Sequence, residues 1–258
     1  MYATERRELI ERMLLDEARV SVAELAQRLN VTTETVRRDL AVLEEQGALR
    51  RVHGGAVTPD RGSAAEVDLR ERQNRGAPAK SSIAARAVEG LGGGFTGSVL
   101  LDAGTTTGAF AELLAHRAQP GVHVVTHSVV LAAALTAAGY ADLTILGGRV
   151  RAVTGAAVGA ATVSSIENLR PDVAFIGANG LSAGFGASTP DPEEGEVKRA
   201  IVRSARRVIL LADRTKFDVE SLRRFAALDE IDVLVTDEAP SGALADALAA
   251  ADVEVWVA

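Results

Sequence analysis

The chain has 258 residues, 47% of them hydrophobic, with no cysteine and a formal net charge of −7. That length accommodates two domains, and the apolar fraction supplies full cores, which argues against general disorder. The absence of cysteine excludes disulfides and thiolate metal sites. The first residues, Met1-Tyr-Ala-Thr-Glu-Arg-Arg-Glu8, are charged, and no apolar run approaches the roughly 20 residues of a membrane span. A cytoplasmic protein with no membrane partner is expected. The acidic balance argues at first against nucleic acid, since neutralising phosphates usually drives such binding. Residues 1–58 hold nine Arg against ten Asp and Glu, a net of −1, so bulk charge makes no case for DNA. The case rests on where the arginines fall.

Thr4 to Leu15 reads as a first helix, with Leu9, Ile10, Met13 and Leu14 on one face. Ser21 to Leu29 reads as a second, opened by Ser21 with Glu24 three residues later, the spacing of a capping box. After a short turn at Asn30-Val31, Val36, Leu40 and Leu43 give a third helix an apolar back, and Thr32 stands at its N-cap. Its front carries Thr33, Glu34, Arg37 and Arg38, and Gly47 is the predicted stop. Leu49-Arg-Arg-Val-His-Gly-Gly-Ala-Val57 then reads as a hairpin around Gly54-Gly55 carrying Arg50, Arg51 and His53. Helix, turn, helix and basic hairpin is the order of a winged helix, whose recognition helix enters the major groove. Arg37 and Arg38 suit either bidentate pairing with guanine or a phosphate clamp. The competing interpretation is a small helical bundle with solvated arginines. The candidate DNA contacts are Thr32, Thr33, Glu34, Thr35, Arg37, Arg38, Arg50, Arg51 and His53, and the candidate partner is double-stranded operator DNA.

Thr58 to Ser63 has linker composition, and the polar stretch up to Pro78 reads as an arm against a neighbour. The predicted division is 1–58, a linker and arm over 59–79, and a second domain over 80–258, opening with a helix that turns Ile83, Ala84 and Ala87 inward. Short β-rich runs follow at Val99–Asp102, His123–Thr126, Leu143–Leu146, Val173–Ile176, Val208–Leu211, Val233–Thr236 and Val253–Trp256. Most are separated by Ala- and Leu-rich helical segments, which implies a largely parallel sheet covered on both faces. Ligands of such sheets bind beyond the carboxyl ends of the strands.

After the first of these strands comes Asp102-Ala-Gly-Thr-Thr-Thr-Gly108, read as a loop before a helix over Ala109–Ala115. Gly104 permits close backbone approach, and Thr105, Thr106 and Thr107 with a helix N-terminus make an anion cradle suited to phosphate. An ordinary threonine-capped corner is the alternative. His127-Ser128 occupies a comparable corner, where a histidine is either a structural hydrogen-bonding residue or a functional one. Arg149 follows a glycine pair and suits an anion or a subunit contact. Asn179, after the central strand, is placed to hydrogen-bond a sugar hydroxyl. Glu194 and Lys198 lie four apart on one helix face, which taken alone describes a surface ion pair. Lys216 follows in Asp213-Arg-Thr-Lys216. Only three lysines occur in the chain, at 80, 198 and 216, against 25 arginines. That usage suits a compact ammonium at three positions, and codon bias alone is the alternative. The candidate effector contacts are Asp102, Gly104, Thr105, Thr106, Thr107, His127, Ser128, Arg149, Asn179, Glu194, Lys198, Lys216 and Lys80.

Thr35-Val-Arg-Arg-Asp-Leu40, Arg51-Val-His-Gly-Gly-Ala56, Leu101-Asp-Ala-Gly-Thr-Thr-Thr107, Val125-Thr-His-Ser128, Leu146-Gly-Gly-Arg149, Phe175-Ile-Gly-Ala-Asn-Gly180, Val197-Lys-Arg-Ala200 and Ala212-Asp-Arg-Thr-Lys-Phe217 together resemble the DeoR/GlpR family of bacterial transcription regulators. The resemblance runs nearly end to end. It implies an α/β sensor domain with a mostly parallel sheet, related in fold to ribose-5-phosphate isomerase, behind an N-terminal winged helix-turn-helix. It also implies a homodimer or homotetramer that represses sugar uptake and catabolism genes until a phosphorylated sugar effector binds, a fructose phosphate being favoured. No cofactor, metal or catalytic residue is expected. Two positions depart from the pattern. His127 stands where the family commonly has Asn, and Gly177-Ala-Asn-Gly180 stands where the related isomerases carry Gly-Ala-Asp-Glu. Moving a proton between adjacent carbons needs a base that an amide and a glycine do not supply. This argues for a sensor that binds without turnover, and a sugar-phosphate isomerase-like enzyme with a DNA-binding head is the alternative function. A nucleotide-binding module is disfavoured by the absence of a Gly-x-x-x-x-Gly-Lys-Ser/Thr run and of dinucleotide glycine spacing.

Overall fold

The computed structural model describes residues 3–17, 19–45, 48–52, 54–57, 69–117 and 121–258. The chain divides into two units, Met1–Gly62 and Ser63–Ala258. Among the described residues no helix is long and apolar enough to cross a membrane.

The first unit runs α1 (Ala3–Glu17), β1 (Arg19–Ser21), α2 (Val22–Leu29), α3 (Thr33–Glu45), β2 (Arg50–Val52) and β3 (Gly55–Val57). Ser21 caps α2, its Oγ accepting from the Glu24 backbone N–H at 3.1 Å and donating to the Glu24 carboxylate at 3.0 Å. Asn30 ends that helix in the left-handed region at φ 51°, a conformation that asparagine tolerates better than most side chains. Thr32 Oγ1 accepts from the Thr35 N–H at 3.2 Å and so begins α3 where the sequence places it. Val36, Leu40 and Leu43 are buried with Ile10, Leu14, Leu25 and Ala56 in one core. β3 is the central strand of an antiparallel sheet ordered β1-β3-β2. Gly55 is required there, because a Cβ at that position would collide with the Val20 carbonyl. The predicted stop at Gly47 lies outside the described residues.

Asp39 was hidden in the Arg-Arg-Asp-Leu signature. It is 2% exposed on the inner side of α3, where it accepts from Arg6 Nε at 2.5 Å and Arg7 Nε at 3.1 Å. This double ion pair ties α1 to α3.

The second unit begins earlier than residue 80. Residues 58–68 lie outside the described residues, and the rest of the predicted arm is helical. The unit runs α4 (Leu69–Asn74), α5 (Ala77–Leu91), β4 (Gly97–Leu101), α6 (Thr105–His116), β5 (Val122–Thr126), α7 (Val129–Ala137), β6 (Leu143–Ile145), β7 (Arg149–Arg151), β8 (Ala156–Val158), α8 (Ala160–Glu167), β9 (Val173–Gly177), β10 (Gly180–Ser182), β11 (Gly186–Thr189), α9 (Pro192–Ser204), β12 (Val208–Leu211), β13 (Arg223–Ala226), β14 (Val233–Thr236), α10 (Gly242–Ala250) and β15 (Glu254–Val257). The seven predicted β runs form one parallel sheet, ordered β15-β14-β12-β9-β4-β5-β6.

Alternate residues of these strands feed two cores. Val99, Leu101, Phe175 and Ile209 face α5, α6 and α7, with the Phe110 and Phe175 rings stacked at 4.0 Å. Leu100, Ile176, Leu210 and Leu234 face the opposite side, against Val197, Ile201, Leu244 and Leu248. From β4 the order proceeds to β5 and β6 on one side and to β9, β12, β14 and β15 on the other. The switch in direction lies between β4 and β9, the place where sheets of this kind bind their ligands. Asp102 and Gly177 lie at those ends. Two further pairings, the β7–β8 hairpin and a small antiparallel sheet ordered β10-β11-β13, were not expected from the sequence.

Substituting Asp39→Ala should destabilise the first unit by about 1.5–3 kcal/mol, because it removes charge-assisted hydrogen bonds from the partly buried Arg6 and Arg7. Urea unfolding followed through the helical signal of the first unit checks this, and a midpoint equal to that of the parent would reduce the pair to a surface contact.

Candidate functional site

In the first unit, Thr33, Glu34, Arg37 and Arg38 are exposed on the front of α3, and Thr35 is half-buried beside the cap. Glu34 lies 3.5 Å from Arg38 and 3.9 Å from Arg37, so one carboxylate gathers both guanidinium groups at the N-terminal end of the helix. These pairs are exposed, hence weak and readily exchanged for phosphate or a base edge. Arg51 is placed differently. Its Nε lies 2.6 Å from Glu44 Oε2, and its backbone N–H donates to Oε1 at 2.9 Å. Hydrogen bonding to the Arg51 backbone and then to its side chain holds the Glu44 carboxyl below its ordinary pKa. Arg51 thus clips β2 to the end of α3. Arg50 lies in β2; its side chain, like His53, falls outside the described residues.

In the second unit, Asp102 ends β4 and is 1% exposed. Its Oδ2 accepts from Lys198 Nζ at 2.6 Å and the Gly177 N–H at 3.1 Å. Lys198 also donates to the Gly177 carbonyl at 2.8 Å, and its ammonium lies over the Phe225 ring. His127 Nε2 is 3.4 Å from Asp102 Oδ1, and its Nδ1 is 2.9 Å from the Ala157 carbonyl. Burial alone pushes the Asp102 carboxyl up, but Lys198 and His127 outweigh it and hold the group well below the usual carboxylate range. Asp102 is therefore a fixed anion joining β4, β9, α9 and the corner after β5.

The threonines are not in a loop. Thr105, Thr106 and Thr107 form the first turn of α6, with Gly104 as an N-cap that lacks a side-chain bond, so the first-turn N–H groups have no side-chain cap. Thr106 and Thr107 are buried, and Thr107 Oγ1 has no hydrogen-bond partner. A Cβ on Gly104 would lie 3.2 Å from that oxygen and 3.3 Å from Asp102 Oδ2, so glycine leaves the backbone close to both.

Glu194 and Lys198 are both buried on α9, and their hydrogen bonds lead to different partners, unlike a surface ion pair. Glu194 Oε1 accepts from Arg151 and from Thr154 Oγ1, each at 2.5 Å, while Arg151 also reaches Asp191 at 3.1 Å. One turn later Lys198 engages Asp102, so α9 links the β7–β8 hairpin to the switch point. Ser128 caps α7 through the Leu131 N–H at 3.2 Å. Exposed Arg149 pairs with Glu193. Asn179 Oδ1 accepts from Thr189 Oγ1 at 3.2 Å.

Lys80 lies 7% exposed on α5 and donates to the Arg72 and Arg75 carbonyls. Burial and then the charge of Lys216 push its amine down to about 8, against the attraction of Asp213. Asp213 itself is held below its ordinary value against burial, by Lys216 and by hydrogen bonds from Thr215. Lys80, Lys216 and Asp213 thus form a second charge group. A cleft of about 370 Å³ is lined by Lys80, Gly104 and Thr105 together with residues of α4, α6 and α7. The sequence reading missed Asp39, Glu44, Arg151, Thr154 and Asp213. The signal for Asp213 was present, since it opens the Asp-Arg-Thr-Lys run. Among the described residues no group of three or more His, Asp or Glu is arranged to hold a metal.

Asp102 makes a pH prediction. Its unfolded pKa is about 3.9, so with a depressed folded value its contribution is present above about pH 4 and lost as pH falls toward that folded value. Asp102→Asn should cost about 3–5 kcal/mol at pH 7 and flatten the acid limb of the stability curve. Chemical unfolding of both proteins between pH 2 and 7, a range spanning roughly the carboxylate titration, is the check; parallel acid limbs would exclude Asp102 as the group responsible.

The DeoR-like helix-turn-helix domain family matches residues 6–61, and the DeoR C terminal sensor domain family matches residues 76–238. The chain is 34% identical over 237 residues to the uncharacterized HTH-type transcriptional regulator FruR of Bacillus subtilis (strain 168), covering 92% of each. It is 34% identical over 224 residues to the glycerol-3-phosphate regulon repressor of Haemophilus influenzae, covering 86% of this chain and 85% of that protein. Among solved structures, ribose 5-phosphate isomerase A of Methanocaldococcus jannaschii aligns with 54% of the chain and 53% of its own, at 17% identity and a TM-score of 0.39. With a helix-turn-helix unit ahead of a parallel-sheet sensor unit, and with both family matches in that order, the chain belongs to the DeoR family of transcription regulators.

Proposed function

We propose that this regulator is a repressor of carbohydrate uptake and catabolism genes, whose operator affinity falls when a phosphorylated sugar binds beside the N-terminus of α6. The observation that carries the effector site is Thr107 Oγ1, a buried hydroxyl without a partner in the first turn of a helix whose N–H groups lack a side-chain cap. Such a terminus favours an anion, and phosphate has acceptors for both N–H groups and hydroxyls. Lys80 and Lys216 supply the countercharge. A cleft of about 370 Å³ suits a small metabolite. A relative named as a glycerol-3-phosphate regulon repressor supports the ligand class, and fructose phosphates are the first probes.

Gly104, Thr105, Thr106, Thr107 and Lys80 would hold the phosphate, with Lys216 and Asn179 around the carbon skeleton. Asp102, His127 and Lys198 would shape the floor without touching the ligand; Glu194, Ser128 and Arg149 would position the hairpin and α7. On the DNA side, Arg37 and Arg38 would reach the major groove with Thr32, Thr33, Glu34 and Thr35, while Arg50, Arg51 and His53 would set the wing. A homodimer or homotetramer would present two recognition helices to an operator.

The isomerase alternative has less support. Asp102 and Glu194 are already committed to a lysine and an arginine, and Asn179-Gly180 supplies no carboxylate base. We infer binding without turnover.

Thermal unfolding against fructose 1-phosphate, fructose 6-phosphate, glycerol 3-phosphate and their unphosphorylated parents tests the effector. A phosphate at about 100 times its dissociation constant should stabilise by roughly 2.7 kcal/mol, and the parents should not. Thr106→Glu should abolish that shift. Equal shifts with parent sugars, or a retained shift in the variant, would move the ligand away from α6. On the DNA side, Arg38→Ala should weaken a duplex selected from random sequence by about 1–3 kcal/mol if Arg38 reads a base. A uniform loss across sequences with a shallower salt dependence would make it a phosphate contact instead.

A further inference from the structure

The cleft beside α6 is walled on its other side by α4 and the start of α5. Gly104 and Thr105 bring the N-terminus of α6 to its rim. Lys80 is the one cation among its lining residues, and Glu112, one turn or more along α6, the one anion.

The Lys80 ammonium has a second task. It donates to the carbonyls of Arg72 and Arg75, the latter at 2.6 Å, where α4 ends and its carbonyls run out of intrahelical partners. With six residues, α4 is too short to persist as a helix without such ties. Its other end is held by a backbone bond from Leu69 to the Val153 carbonyl at 3.2 Å. In chain order α4 is also the first described element after the winged helix.

Lys216, Arg72 and Arg75 oppose the charged amine and Asp213 supports it, while Glu71 pairs with Arg75 at 2.7 Å. An anion entering this field is attracted, and a phosphate is a stronger acceptor for an ammonium than two neutral carbonyls are.

We propose that Lys80 is a positioning residue that reports occupancy of the sensor site to α4: a phosphorylated ligand seated at the N-terminus of α6 draws the Lys80 ammonium from the Arg72 and Arg75 carbonyls and frees that helix. The inference rests on the effector site assigned above. Ligand and α4 compete for one ammonium, so each weakens the hold of the other, which is the differential affinity that any ligand-driven shift requires. Freeing α4 loosens the chain on the sensor side of residues 58–68 and lowers operator affinity.

The test combines hydrogen exchange of the residue 69–75 amides with operator binding, using fructose 1-phosphate, fructose 6-phosphate and glycerol 3-phosphate as probes on the full chain. In the wild type, a probe that stabilises the protein should speed exchange of these amides by about tenfold, a typical coupling between sites. Lys80→Met should exchange fast without any probe, bind the selected operator about tenfold more weakly, and lose no further affinity at about 100 times its own probe dissociation constant. Lys80→Arg should restore slow exchange and the response. The wild-type measurement needs no substitution, so a Lys80→Met chain that does not fold leaves the test intact. Unchanged exchange in probe-bound wild type, or wild-type operator affinity in Lys80→Met, would overturn the role of Lys80 while leaving the effector site standing. Binding of none of the probes would overturn the effector site, and this proposal with it.

Discussion

A buried carboxylate and a buried ammonium, Asp102 and Lys198, sit 2.6 Å apart where the sheet of the sensor unit changes direction. Neither charge is tolerable alone in that interior, and together with the Gly177 peptide and His127 they satisfy one another. Their pairing fixes how β4 ends, where β9 ends, and how α9 lies across both. The first turn of α6 begins three residues after Asp102, so the orientation of its N–H groups depends on the same lock.

Lys198 has a neighbour one turn earlier on α9, and that neighbour extends the lock outward. Glu194 takes the charge of Arg151 and the hydroxyl of Thr154 and so anchors the β7–β8 hairpin. The winged helix uses the same device on a smaller scale. Asp39 is buried between two arginines of α1, and Glu44 holds the backbone and side chain of Arg51. In both units, acids inside or beneath the fold fix the framework. The candidate contact groups remain exposed on α3 or border a cleft at α6.

This division of labour explains what was legible in the sequence. Val36, Leu40 and Leu43 mark α3 through periodicity, and the seven β-rich runs mark the parallel sheet because buried strands read as continuous apolar stretches. Thr32 and Ser21 announce their helices because capping is local chemistry. Long-range pairings leave no such trace. Glu194 and Lys198 look like a surface pair at a spacing of four, and only the fold brings Arg151 to one and Asp102 to the other. Asp39 is an unassigned member of the Arg-Arg-Asp-Leu run until α1 lies behind it. Three threonines in succession have poor intrinsic helix propensity and read as a loop, which packing of Thr106 and Thr107 into the interior overrides. The β7–β8 hairpin has three-residue strands, below the length at which alternation is visible.

On the function proposed above, this DeoR-family regulator binds an anion at the N-terminus of α6 and DNA through its helix-turn-helix unit. The central claim is that the first event weakens the second. It is tested most directly by fluorescence anisotropy of a labelled duplex, selected from random sequence by the full chain, titrated at fixed salt with and without saturating fructose 1-phosphate, fructose 6-phosphate or glycerol 3-phosphate. The account predicts that one of these phosphates raises the operator dissociation constant by about tenfold or more while its unphosphorylated parent leaves it unchanged. A dissociation constant that stays the same with a phosphate demonstrably bound would contradict it.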